Sequence, residues 1–134
     1  MRVVKFRAFR KDAKESGIVI GYSNDSDGEH VHIRFFTNDG EYQYEKWYKI
    51  DDPDIVLIQS TGTKDKDESE IFEGDILTGK LGKLAEVKWL QEHCAYVGYC
   101  IEDRKYYYLE CGDDKLKNVS IIGNIYTNPE LITV

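Results

Sequence analysis

The 134-residue chain carries 18 Lys and Arg against 25 Asp and Glu, a net charge of −7, with 41% apolar and 32% charged residues and two prolines. That composition belongs to a globular chain of about one domain's size, able to bury a core without disulfides, and it excludes a disordered or collagen-like polymer. No apolar run approaches the roughly 18 residues of a membrane span, the opening residues carry no secretory stretch, and three cysteines (Cys94, Cys100, Cys111) cannot all pair internally, so a cytoplasmic protein with free thiols is expected.

From the amino terminus onward, period two dominates. Val4, Phe6 and Ala8 alternate with Lys5, Arg7 and Phe9, the pattern of a half-buried strand. In the first fourteen residues Arg2, Lys5, Arg7, Arg10, Lys11 and Lys14 face one acid, Asp12. They read as the solvent side of an edge strand, where cations discourage stray pairing. A basic face for nucleic acid is the alternative, because residues 51–134 hold 17 acids against 9 bases and would be repelled by phosphates. A β-branched run lies between Gly17 and Gly21, and Ser23 to Gly28 is a turn cluster. That cluster mimics a calcium loop only in part: the twelfth position would be Arg34, a cation, so a solvated turn is expected. His30 to Phe35 alternates polar and apolar, placing His30, His32 and Arg34 on one wet face. An Asn38-Asp39-Gly40 turn then joins this run to the aromatic segment Glu41 to Tyr48, a hairpin signal.

Asp51-Asp52-Pro53-Asp54 interrupts the pattern. Ile55 to Ile58 is a short apolar strand, and a charged loop over 64–70 leads into the run Ile71 to Leu77. Strand-like runs recur at about 84–90, 95–101, 104–110 and 118–125. Short strands at such spacing with turns between them read as a small barrel or sandwich. The best helical alternative, 80–91, is disfavoured by Val87, Trp89 and Gly82. Asn128 and Pro129 suit the cap and first position of a single helical turn.

Three segments carry a family resemblance. They are the opening Lys5-Phe6-Arg7-Ala8-Phe9 with its charged continuation, the middle segment Ile58 to Lys66 followed by Ile71-Phe72-Glu73-Gly74-Asp75-Ile76-Leu77, and the closing run Ile121 to Leu131. In this order the chain resembles the YopX-like proteins of Firmicutes phages and prophages. The resemblance implies an SH3-type β-barrel in the carboxy-terminal part, homo-oligomers, and no established biochemical activity. The expected fold is therefore mainly β, with an amino-terminal β region over 1–60, an SH3-like barrel over 61–134, and little helix. One departure is local: where the family turns on an Asn-Gly-like pair, this chain reads Asp67-Glu68-Ser69, which predicts a longer and more mobile loop.

Thr61, Gly62, Glu73, Gly74, Asp75, Gly123 and Asn124 form the motif positions, read as structural. Gly62 and Gly74 suit tight corners, and Asp75 can bond nearby backbone amides. Glu73 and Asp75, two apart on a strand, share a face and are the nearest approach to a paired acid–base site, but no His or Lys stands convincingly beside them. No catalytic residue, metal or cofactor is assigned. His93, Cys94, Cys100 and Cys111 lack the Cys-x2–4-Cys knuckle of a zinc site, and neighbours on a strand point apart. The sharpest functional signal is aromatic. Tyr106, Tyr107 and Tyr108 cannot all face one core, and Trp47 and Tyr48 are likewise adjacent. Tyrosine supplies large contact area at small entropic cost, so these five residues are the candidate interface, with a second copy of this chain or another protein as partner. The alternatives are nucleic-acid binding through the basic amino terminus and exposed aromatics, and an enzyme centred on Glu73 and Asp75.

Overall fold

The computed structural model describes residues 6–37, 39–79, 82–109 and 118–132. The fold is mainly β. Two antiparallel sheets hold eleven strands among the described residues, joined by turns and two single-turn 3₁₀ segments, with no α-helix. The chain divides between Gln59 and Ser60 into two compact units.

The amino-terminal unit contains β1 (Phe6–Arg10), β2 (Glu15–Asp25), β3 (Gly28–Phe36), β4 (Tyr42–Lys49) and the first half of β5 (Ile55–Lys64). Its strand order is β4-β3-β2-β1-β5, so β1 is ladder-bonded on both sides. The expected edge strand is thus an interior one. The reason is long-range: the apolar run beginning at Ile55 pairs with β1 as Arg10↔Ile55 and Ala8↔Leu57, and covers its second edge. Alternation on β3 sets the core. Val31, Ile33 and Phe35 are buried, and they pack with Ala8, Tyr48 and Ile55. Val31, Ile33, Phe35 and Ile55 each contribute about 1.5–3 kcal/mol by leaving water. Asp25 and Gly28 pair directly, so the turn cluster closes on only Ser26 and Asp27, with the Asp27 amide donating to Asp25 Oδ1.

The second unit begins where β5 passes Ser60. It contains β6 (Glu70–Phe72), β7 (Asp75–Thr78), β8 (Leu84–Leu90), β9 (Ala95–Cys100), β10 (Lys105–Tyr108) and β11 (Ser120–Asn124). Its five-stranded sheet runs β10-β9-β8-β7-β11. This is a meander whose last strand returns beside its first. β10 and β11 are its edges, and no ladder among the described residues closes it into a barrel. Ile71, Leu77 and Val87 are the buried centre, flanked by Tyr96, Leu109, Val119 and Ile121.

Three local expectations change. Glu73 and Gly74 form a turn between β6 and β7, the tight corner expected at Gly74, so Glu73 and Asp75 do not share a strand. The loop at 65–69 is tight rather than loose. Asp65 Oδ1 accepts from the amides of Asp67 and Ser69, and Glu68 takes a φ of 67°, the left-handed geometry the family's Asn-Gly step would supply. Pro129–Leu131 does form a 3₁₀ turn after Asn128, but the Asn128 side chain does not cap it. Its Oδ1 turns back to accept from the Asn124 amide at 3.3 Å.

Candidate functional site

Sequence-marked positions concentrate in the second unit, around the start of β7. Thr61 and Gly62 sit in an irregular stretch of β5 between the Ser60↔Phe72 and Lys64↔Glu70 pairs. There the Thr61 hydroxyl donates to the Ile71 carbonyl (2.8 Å) and accepts from the Thr63 amide (3.2 Å), while Gly62 has a φ of 81°. The hydroxyl thereby replaces ladder bonds that the bulge removes.

Gly74 is held for two reasons. Its φ is 87°, and a Cβ there would lie 2.7 Å from Tyr126 Cε2, so only glycine lets the phenol ring rest on the backbone. Its amide donates to the Val87 carbonyl and its carbonyl accepts from the Ile125 amide, both at 2.9 Å. One residue thus ties β7, β8 and the end of β11 together. Gly123 plays a matching part: a Cβ would approach Asn128 Oδ1 to 2.5 Å. Asn124 Oδ1 accepts from the amides of Tyr126 (3.0 Å) and Thr127 (2.8 Å), which shapes the turn that presents Tyr126.

Glu73 and Asp75 separate. Asp75 is 2% exposed, and its Oδ2 accepts from the Phe72 amide at 2.8 Å. Glu73 is half-buried and lines a cavity of about 230 Å³ with Gly74, Glu86, Val87, Lys88, Trp89, Ile125 and Tyr126; Asp75 does not line it. The turn, rather than a strand, carries Glu73, so the two carboxylates do not present one face to a substrate. Burial pushes the Glu73 carboxyl above its ordinary value. Burial likewise raises the Tyr126 phenol, with Glu73, Glu86 and Asp75 adding to it.

A buried carboxylate that sequence reasoning passed over is Asp65, 3% exposed. Besides the two amides of its own loop, it accepts from the Ile121 amide on β11 through Oδ2 at 3.2 Å. The visible signal was its place in an Asp-Lys-Asp-Glu-Ser loop. Its burial depended on the chain returning fifty-six residues later.

The aromatic candidates divide by burial. Tyr106 and Tyr107 are 53% and 52% exposed on β10. Tyr106 stacks at a tilt on Tyr99 (4.9 Å between centroids), and the Tyr107 hydroxyl lies 3.4 Å from Asp103 Oδ2. The backbone of Tyr108 pairs with Val97, and its side chain lies outside the described residues. In the amino-terminal unit Trp47 is exposed, whereas Tyr48 is buried among the core residues, which removes it from any surface. The cause is register. Tyr48 pairs with Val31 on the core face, and Trp47 pairs with His32 on the other. That other face is organised rather than simply wet: His32 stacks on Trp47 at 4.7 Å, and Glu45 holds Arg34 at 2.7 Å and approaches His32 at 3.4 Å.

Of the basic amino-terminal set, Arg2 and Lys5 fall outside the described residues. Arg7, Lys11 and Lys14 are exposed. Arg10 is taken up internally, donating to both oxygens of Asp12 (2.7 and 3.0 Å) and to the Tyr44 hydroxyl (2.9 Å). Burial, with Glu15 adding to it, pushes that phenol up to about 12. His93 and Cys94 lie in and just after a 3₁₀ turn, not on a strand; both are exposed, while Cys100 is buried in β9 and Cys111 falls outside the described residues.

A family model described as YopX protein matches residues 5–133. No curated protein matches the chain. Among solved structures, protein EF1440 from Enterococcus faecalis is similar over 99% of this chain and 100% of its own, with 21% identity and a TM-score of 0.56. Protein YopX from Bacillus subtilis is similar over the same shares of the two chains, with 14% identity and a TM-score of 0.61. At those identities the likeness is one of fold. The family model spans nearly the whole sequence, and the chain belongs to the YopX family.

Proposed function

We propose that this protein is a non-catalytic module, phage- or prophage-encoded and working in the host cytoplasm, that binds another protein and associates with itself. The observation that carries the reading is the exposure of Tyr106 and Tyr107 on β10, an edge strand whose outer side bears no ladder among the described residues. An unpaired edge offers backbone donors and acceptors to a second strand, and half-exposed phenols offer area that gains from being covered. In an antiparallel pairing of two copies, a two-fold axis at Tyr106 or Tyr107 keeps each ring on the same face as its mate. The return of β11 beside β7 supports an SH3-type roll for the second unit, following the family resemblance.

Light scattering across a concentration series tests the association. The reading expects a mass above the 15.6 kDa monomer, reverting to monomer when Tyr106 and Tyr107 are both changed to Ser. A clean monomer at the highest concentration overturns self-association.

The second reading, nucleic-acid binding, is favoured by one observation: the exposed Trp47–His32 stack next to Arg34. Aromatic platforms hold bases, but they need a basic groove around them, and here Glu45 neutralises Arg34. Binding to a single-stranded oligonucleotide that falls steeply with salt would support it, and absence of binding at low salt would dispose of it.

A further inference from the structure

Where β7 peels away from β8 at the Glu73–Gly74 turn, the β8 backbone beyond Val87 is left without a β7 partner. The cavity of about 230 Å³ lies there. One wall is the Tyr126 ring, fixed over Gly74. Another is Trp89, 43% exposed, held edge-on to Tyr96 at 5.0 Å and pinned by its indole N–H to Gln91 Oε1 at 2.8 Å. Two carboxylates border the same space: Glu73 on the turn, and Glu86, which lies on the face of β8 opposite Trp89. Among the described residues neither has a hydrogen-bond or ion-pair partner. Among the described residues lining the cavity Lys88 is the one cation, and its ammonium lies 5.1 Å from the Tyr99 ring.

We propose that this cavity receives the cationic head of a lysine or arginine side chain presented by a protein partner. Aromatic faces attract a cation through their quadrupole, and they shield it from the water that would otherwise screen it from Glu73. The Glu73 carboxylate in turn is half-buried without a hydrogen-bond partner, a cost that an incoming ammonium or guanidinium removes and a neutral apolar group does not. An anion would be repelled. A metal ion fits poorly: no group of three or more acidic, His or Cys side chains among the described residues converges to hold one. The proposal does not depend on self-association through β10, because it concerns a different set of residues with its own readout.

The test is a titration of the full chain by amide-resolved NMR, with n-butylammonium as the minimal probe and n-butanol as its uncharged counterpart. The proposal expects saturable shifts at the Trp89 indole N–H and the Gly74 amide with butylammonium and none with butanol. Glu73→Gln should weaken that binding about tenfold, the loss expected for one charge-assisted contact, with the untouched part of the spectrum showing an intact fold. The capped tripeptide Ala-Lys-Ala should bind at least as tightly as butylammonium. Equal shifts from butanol, unchanged affinity in Glu73→Gln, saturation of the same resonances by calcium at lower concentration, or tighter binding of choline than of the lysine peptide would each overturn it.

Discussion

Truncation of Asp65 is the most demanding test of how the second unit is held. Its carboxylate accepts three backbone amides: Asp67 and Ser69 at 2.9 Å through Oδ1, and Ile121 at 3.2 Å through Oδ2. Asp67 and Ser69 are exposed, so after Asp65→Ala water can reach their amides and each loss is at the low end, about 0.5–1 kcal/mol. The Ile121 amide lies within the β11 segment and loses a charged acceptor at a part-buried site, which costs about 1–3 kcal/mol. The sum is about 3 kcal/mol, or a fall in Tm of roughly 10 °C for a chain of this length. Asp65→Asn keeps one oxygen acceptor but turns an NH2 toward amides, so it should lose about half as much. Trp47 and Trp89 are the two tryptophans, one in each unit. In a Trp47→Phe background, urea unfolding followed by fluorescence therefore reports on the second unit. A loss below about 0.5 kcal/mol for Asp65→Ala would refute the assignment of a structural role to this carboxylate.

Gly74→Ala forces a side chain into a φ of 87° and a 2.7 Å approach to Tyr126, and should cost about 2 kcal/mol or more in denaturant unfolding. Tyr48→Ala should cost about 3–5 kcal/mol, while Trp47→Ala, its exposed neighbour, should cost under about 1 kcal/mol; equal losses would contradict the observed register. Glu73 gives a pH dependence. Because burial raises its carboxyl, the folded protein binds that proton more tightly than the unfolded chain does. Its contribution is full below the unfolded value of about 4.3 and is lost as pH rises through the folded one. Glu73→Gln should therefore raise Tm slightly at pH 7, with the gain disappearing below about pH 4; a constant difference across that range would count against desolvation as the cause.

Much of the fold is legible in local pattern. Leu84–Leu90 matches the strand read from the sequence, and Ala95–Cys100 lies within the run at 95–101. On β3 the alternation that buries Val31, Ile33 and Phe35 is written directly in the residues. Local chemistry also placed turns within the Ser23 to Gly28 cluster, where Ser26 and Asp27 turn the chain, and at Asp39-Gly40. It failed where side chains stand in for ladder bonds. The strand at Ile55 runs on through Gln59-Ser60-Thr61 to Lys64, because hydroxyls of Ser60 and Thr61 satisfy amides across the irregular stretch.

The sequence alone determined that this is a β protein, which residues alternate, and that neighbouring aromatics such as Trp47 and Tyr48 must look opposite ways. Tertiary structure decided which of the pair is inside, that β1 is an interior strand, and that Asp65 is buried beneath β11. Periodicity specifies the two faces of a strand but is silent about what lies against each face. That is set by pairings such as Ala8↔Leu57 and Val31↔Tyr48, formed between segments far apart along the chain or joined by a turn, whose energy exists only once both are in place.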